Sequence, residues 1–219
     1  MPPGSRAPGD VERIEGEVRG FLHRAPGDRG LILSHGAGSN ASAPLLVAVA
    51  TDLAQNHWNV LRIDLPFRHM RPKGPPGPGD AKRDQDGIRD TIAFMKDLGM
   101  NRIFAGGHSY GGRQTTMMAA RDNPEVEGLL LMSYPLHPPS KPQQLRTAHF
   151  PELKLPCLFI HGEADPFGTI DEMREATGLI SGRVELRAVS GAGHDLRGRG
   201  HRIAGWFLEW SENTGNSLK

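Results

Sequence analysis

Residues 101–112 read Asn-Arg-Ile-Phe-Ala-Gly-Gly-His-Ser-Tyr-Gly-Gly, and their reading decides the fold. A short apolar run, Ile103-Phe104-Ala105, stops at two glycines. The next residues, Gly107-His108-Ser109-Tyr110-Gly111, form a G-x-S-x-G pattern, and a helix-compatible run over 113–121 follows at once. In a chain with 28 glycines the pattern alone is weak, so its context carries the inference. A strand, a sharp turn with serine at its tip and a helix together expose that serine's hydroxyl. The flanking glycines let strand and helix approach without Cβ clashes.

Outward from this turn, strands and helices alternate. Residues 31–34 form a short apolar run ending at His35-Gly36-Ala37-Gly38. Leu45, Leu46, Val49 and Leu53 share one face of a helix predicted over 43–56. Residues 59–63 read as a strand, 81–98 as a helix stopped by Gly99, and 126–132 as a fully apolar strand. A strand over 156–160, a helix over 169–180, a strand over 184–189 and an amphipathic helix over 199–213 complete the series. Residues 17–23 alternate in polarity and read as an edge strand. Residues 66–80, rich in proline and glycine, read as irregular. Strands apolar throughout must be covered on both faces. The prediction is an α/β fold, a doubly wound, mostly parallel sheet with helices on both faces and no large cap domain. It occupies one domain over 16–214, with a flexible tail over 1–15 and a short tail over 215–219.

Composition narrows the function classes. The 26 basic and 25 acidic side chains leave a formal charge of +1, which provides no field for nucleic acid or an anionic membrane. Cys157 is the only cysteine, so no internal disulfide forms, and its apolar surroundings predict a buried, inert thiol. The N-terminus lacks the apolar segment of a signal peptide, and no run approaches a membrane span, so the cytoplasm is the expected compartment. Charge and composition leave the oligomeric state open.

A serine hydroxyl is a weak nucleophile unless a base takes its proton and an acid orients that base. In open α/β sheets such groups gather beyond the C-terminal strand ends. Among ten histidines, His194 stands apart: it lies in Gly191-Ala192-Gly193-His194-Asp195, between the last strand and the last helix. His108 adjoins the serine and is expected to point away from it, while His35, His161 and His201 read as ordinary. For the acid, the strand exit His161-Gly162-Glu163-Ala164-Asp165-Pro166 offers Asp165, stiffened by Pro166, with Glu163 as competitor. An oxyanion needs two N–H donors. Tyr110, opening the helix after the serine, supplies one. Ala37 supplies the other, with Gly38 the second choice.

These pieces resemble the α/β-hydrolases, of the small, lid-poor, dienelactone-hydrolase-like kind. The resemblance covers residues 17–212 and rests on HGAGS at 35–39, GGHSYGG at 106–112, HGEADPFG at 161–168 and GAGHD at 191–195. The order Ser, Asp, His matches that family. Dienelactone hydrolases proper carry a cysteine nucleophile where this chain has Ser109, so the lactone substrate is not implied. The resemblance implies hydrolysis of a small-molecule carboxylic ester with a small to medium acyl group, through an acyl-enzyme and without metal or organic cofactor. A thioesterase, a peptidase and a catalytically silent binding domain share the same fold. The segment 67–73 carries Arg68, Arg71 and Lys73 after a strand ending at Asp64, and Arg68 or Arg71 is expected to grip an acidic group of the substrate.

Overall fold

The computed structural model describes residues 10–215. Eight strands form one sheet: β1 (Val11–Ile14), β2 (Gly20–His23), β3 (Arg29–Ser34), β4 (Asn59–Ile63), β5 (Arg102–His108), β6 (Gly128–Met132), β7 (Cys157–Gly162) and β8 (Val184–Val189). Their order across the sheet is β1-β2-β4-β3-β5-β6-β7-β8. The pairs β1–β2 and β2–β4 are antiparallel and every later pair is parallel. Among the described residues five helices lie between strands, α1 (Pro44–Gln55), α2 (Pro66–Met70), α3 (Asp80–Asp97), α4 (Tyr110–Asp122) and α5 (Ile170–Thr177), and α6 (Gly200–Gly215) follows β8.

Period-two alternation sorts the strand side chains into two cores. Ile32, Ala105, Leu129, Leu131 and Phe159 pack with Ile88, Met118 and Met173 of α3, α4 and α5. Leu31, Leu33, Phe104, Leu130 and Leu158 pack on the opposite face with Leu46 and Leu53 of α1 and Phe207 and Trp210 of α6. There Trp58 and Phe104 each set an edge against Phe207, at 4.9 and 5.4 Å between ring centroids. The two full cores explain why successive residues in the middle of β3, β5, β6 and β7 are apolar on both faces.

Two regions depart from the sequence reading. The stretch assigned to the N-terminal tail contains β1, which pairs Val11 with His23, so β1 rather than the 17–23 segment forms the sheet edge. The proline-rich 66–80 stretch opens with the five-residue helix α2, where Pro66 sits in the first turn and its missing N–H breaks no bond. Between β6 and β7, where a cap would be inserted, the connection holds only a three-residue 3₁₀ turn, Phe150–Glu152. Among the described residues no helix is long and apolar enough to cross a membrane.

Candidate active site

Strands β3, β5, β7 and β8 end on one edge of the sheet, and their exit loops meet around Ser109. The turn between β5 and α4 holds Ser109 at φ 52° and ψ −118°, a left-handed conformation that costs a non-glycine residue roughly 1–3 kcal/mol. The close approach of α4 to the sheet requires glycine at 107. A Cβ there would lie 2.2 Å from Ser34 Oγ and 3.0 Å from Gly112 N. Ser109 N donates to Met132 O at 2.9 Å, which fixes the turn to the end of β6.

The structure brings Ser109, His194 and Asp165 together. His194 Nε2 lies 2.8 Å from Ser109 Oγ, and His194 Nδ1 lies 2.8 Å from Asp165 Oδ2. With Nδ1–H donating to the carboxylate, Nε2 is left as an acceptor for the serine hydroxyl. Asp165 is 5 % exposed, and its Oδ1 accepts from Phe167 N at 2.9 Å. Burial pushes its carboxyl upward. The hydrogen bond and charge of His194, the Phe167 N–H and nearby His161 outweigh burial and hold it below the usual carboxylate range. Glu163, the competing acid, is exposed. The loop reaches across β7 because residue 162 is glycine, where a Cβ would meet Ala192 O at 2.4 Å.

His108 has a part that sequence reasoning missed. Its Nε2 donates to His194 O at 2.7 Å. Burial holds His108 below the ordinary histidine range, so it braces the loop as a neutral ring. Phe167 also packs against the His194 ring, 4.3 Å between ring centroids. Only the position beside the serine hinted at either contact.

The loop after β3 also adjoins Ser109: a Cβ on Gly36 would lie 3.6 Å from Ser109 Cβ. Among the described residues, the N–H groups of Ala37 and Tyr110 have no backbone acceptor; Tyr110 opens α4 directly after Ser109, and Ala37 lines the same cleft as the serine. Gly38 lies one residue further along the same loop. His35 ties the loop's base down. Its Nδ1 donates to Gly36 O at 2.8 Å and its Nε2 accepts from Leu65 N at 3.1 Å. Burial lowers its pKa to about 4, consistent with a neutral ring that both donates and accepts.

Arg68 and Arg71 stand elsewhere than expected. Arg68 is 8 % exposed and donates to four backbone carbonyls: Ser39 O at 2.8 Å, Ala37 O and Arg71 O at 3.0 Å, and Gly74 O at 3.1 Å. Arg71 pairs with Asp80. Both guanidinium groups are engaged by their own chain, and Arg68 holds the loop that carries Ala37. Asp84 adds a second brace, accepting from Phe67 N at 2.9 Å and from the Tyr110 hydroxyl at 2.7 Å. Short backbone-directed bonds of this kind leave no periodic signal in the sequence.

A cleft of about 950 Å³ opens between α1 and residues 195–201, and Ser109, His194 and the Ala37 loop all contribute to its lining. Cys157 is fully buried far from this edge, at the start of β7, and burial pushes its thiol up. Among the described residues no group of three or more His, Cys, Asp or Glu side chains has metal-binding geometry.

Residues 27–206 match the family described as an alpha/beta hydrolase domain. The chain belongs to that family. Among solved structures it is similar to dienelactone hydrolase from Anabaena variabilis, with 22 % identity, TM-score 0.71, and 94 % of this chain and 97 % of that one covered. It is similar to Est1E from Butyrivibrio proteoclasticus bound to ferulic acid, with 16 % identity, TM-score 0.71, and 86 % and 93 % covered. It is also similar to an alpha-beta serine hydrolase homologue from Coxiella burnetii, with 17 % identity, TM-score 0.68, and 99 % and 100 % covered. At these identities the likeness is one of fold.

Proposed function

We propose that this α/β-hydrolase cleaves carboxylic esters through an acyl-enzyme on Ser109. The observation that carries the reading is the unbroken relay from Ser109 Oγ through His194 to buried Asp165, with 2.8 Å at each step. His194 Nε2 takes the serine proton as Oγ attacks the acyl carbon, and Asp165 stabilises the imidazolium that forms. The N–H groups of Ala37 and Tyr110 receive the negative charge on the former carbonyl oxygen, with the α4 N-terminus adding its dipole. His194 returns the proton to the leaving oxygen. Water, deprotonated by the same ring, then releases the acid. The β6–β7 connection, residues 133–156, holds a single 3₁₀ turn and no cap helix, which favours small to medium acyl groups.

The test is a stopped-flow assay with p-nitrophenyl acetate. The expected result is a nitrophenolate burst of about one equivalent followed by slower turnover. A burst that persists in Ser109→Ala would refute the assignment.

A further inference from the structure

Two arginines close to the nucleophile have no acid to match them. Arg113 lies one turn into α4, and its N–H donates to Ser109 O at 3.0 Å. Its side chain is half-buried, and its Nε is shut off from solvent without an acceptor. Its guanidinium reaches the Tyr134 hydroxyl. Roughly two turns further along the same helix, Arg121 pairs with Asp86 and Asp122. Among the described residues no carboxylate pairs with Arg113, and none pairs with Arg146.

The neighbours of Arg113 come from the connection after β6, which leaves the sheet beside the nucleophile turn. Ser109 N is bonded to Met132 O, and Tyr134 is two residues on. Tyr134 is buried, and its hydroxyl donates to Arg146 O at 2.6 Å. The half-buried Arg146 donates from Nη1 to Pro135 O at 3.2 Å. On α4, Thr116 Oγ1 donates to Arg113 O at 2.8 Å and accepts from His149 Nε2 at 2.8 Å. Arg113, Arg146 and His149 are thus gathered around Tyr134 and Thr116. Burial, then the charge of Arg113, lowers Arg146 below the ordinary arginine range and His149 to about 4. The His149 ring is therefore neutral near pH 7, and the two guanidinium groups carry the charge of the cluster.

Two half-buried cations within reach of each other lose hydration and repel, which costs the fold stability. An anion beside them turns the repulsion into attraction. A carboxylate suits the pair, because each guanidinium presents a planar fork of N–H donors that matches its two oxygens. We propose, resting on the esterase reading above, that Arg113 and Arg146 bind a carboxylate carried by the ester substrate. The preferred substrates are then esters with a free terminal carboxylate, held about one helical turn from the nucleophile.

Two ester series test the site on either half of the substrate: monoethyl esters of dicarboxylic acids of increasing length, and acetates of ω-hydroxy acids of increasing length. Each is compared with the neutral analogue in which a carboxamide replaces the terminal carboxylate. In at least one series the wild type should favour the carboxylate by roughly 10-fold or more in kcat/KM at the best length. That ratio should shrink as salt is raised. Arg113→Gln should bring the ratio to within about 2-fold of unity, mainly through KM, and Arg146→Gln should lower it by roughly 3-fold or more. Arg113→Lys should keep part of it, as a point charge without the fork. A wild-type ratio near unity in both series would overturn the proposal, and that measurement needs no variant to fold. So would an Arg113→Gln variant in which the acidic and neutral esters slow equally, since that marks a purely structural side chain. Fluorophosphonate labelling of Ser109 is measured in parallel. No label would bring down the esterase reading and the carboxylate site with it. Labelling without any preference for the carboxylate would overturn the site alone.

Discussion

The two flanks of Ser109 are built on opposite principles. On the flank of the Ala37 loop, nearly every polar group is held: Arg68 donates to four carbonyls, His35 bridges Gly36 and Leu65, and Asp84 joins Phe67 to Tyr110. Along α1 the cleft, which that same loop also borders, presents the apolar side chains of Ala43, Pro44, Leu45 and Ala48. Transition-state charge needs donors fixed before the reaction, because donors that must reorganise lose most of their advantage. A substrate arm needs surface and space. The comparison teaches that the basic loop after β4 serves the rigid flank, whereas its charge alone had suggested a substrate contact.

The largest expected effect lies where the flanks meet. Ser109→Ala should lower kcat by on the order of 10⁴-fold or more while leaving the circular dichroism spectrum unchanged. Retention of a tenth of the rate would mean that another group attacks.

Next come the acids. Asp165→Asn should be severely impaired, with kcat reduced on the order of 10³- to 10⁴-fold, because an amide neither holds the required His194 tautomer nor balances its charge. Glu163→Gln, altering an exposed side chain of the same loop, should stay within about 2-fold. The reverse ranking in a kcat comparison would reassign the acid.

Arg68→Ala probes the rigid flank. Its loss leaves the Ala37 and Ser39 carbonyls without their donor and lets the loop shift. A roughly 10-fold fall in kcat with KM little changed is expected, together with a destabilisation of about 1–3 kcal/mol in urea titrations. Arg68→Lys should recover part of the kcat loss, since an ammonium reaches one or two of the four carbonyls. A rise confined to KM for acidic esters would instead restore Arg68 as a substrate contact.

The last effect bears on stability alone and leaves catalysis aside: its dependence on pH. Burial lowers the pKa of His35 to about 4; burial, and then the charge of Arg62, do the same for His23. In the unfolded chain both titrate near 6.5, so between pH 6.5 and 4 the unfolded state binds more protons. Stability should therefore fall as pH drops through that window and be flat above it, by on the order of 2–3 kcal/mol per histidine. His23→Gln should shrink the slope. A slope unchanged in that variant would assign the protons elsewhere.

Much of the fold was legible because burial on both faces forces continuous apolar strands and period 3.6 marks the helices. The strands at 59–63 and 184–189 match the structure residue for residue. Ser109, His194 and Asp165 were legible because glycines and a proline mark the strand exits that bring them together. The polar bracing was not. Arg68, His35, His108 and Asp84 bond to groups distant in sequence, and hydrogen bonds across 17 to 86 residues have no local pattern. Helix α2 was missed because proline was taken as a breaker where it opens a helix.

Labelling with a fluorophosphonate most directly tests the central claim that Ser109 is an activated nucleophile. Peptide mass spectrometry of the labelled protein should place one phosphonyl adduct on Ser109, with labelling strongly slowed in His194→Gln and unaffected by Cys157→Ala. A folded wild-type protein that takes up no label, or takes it at another residue, would contradict the account.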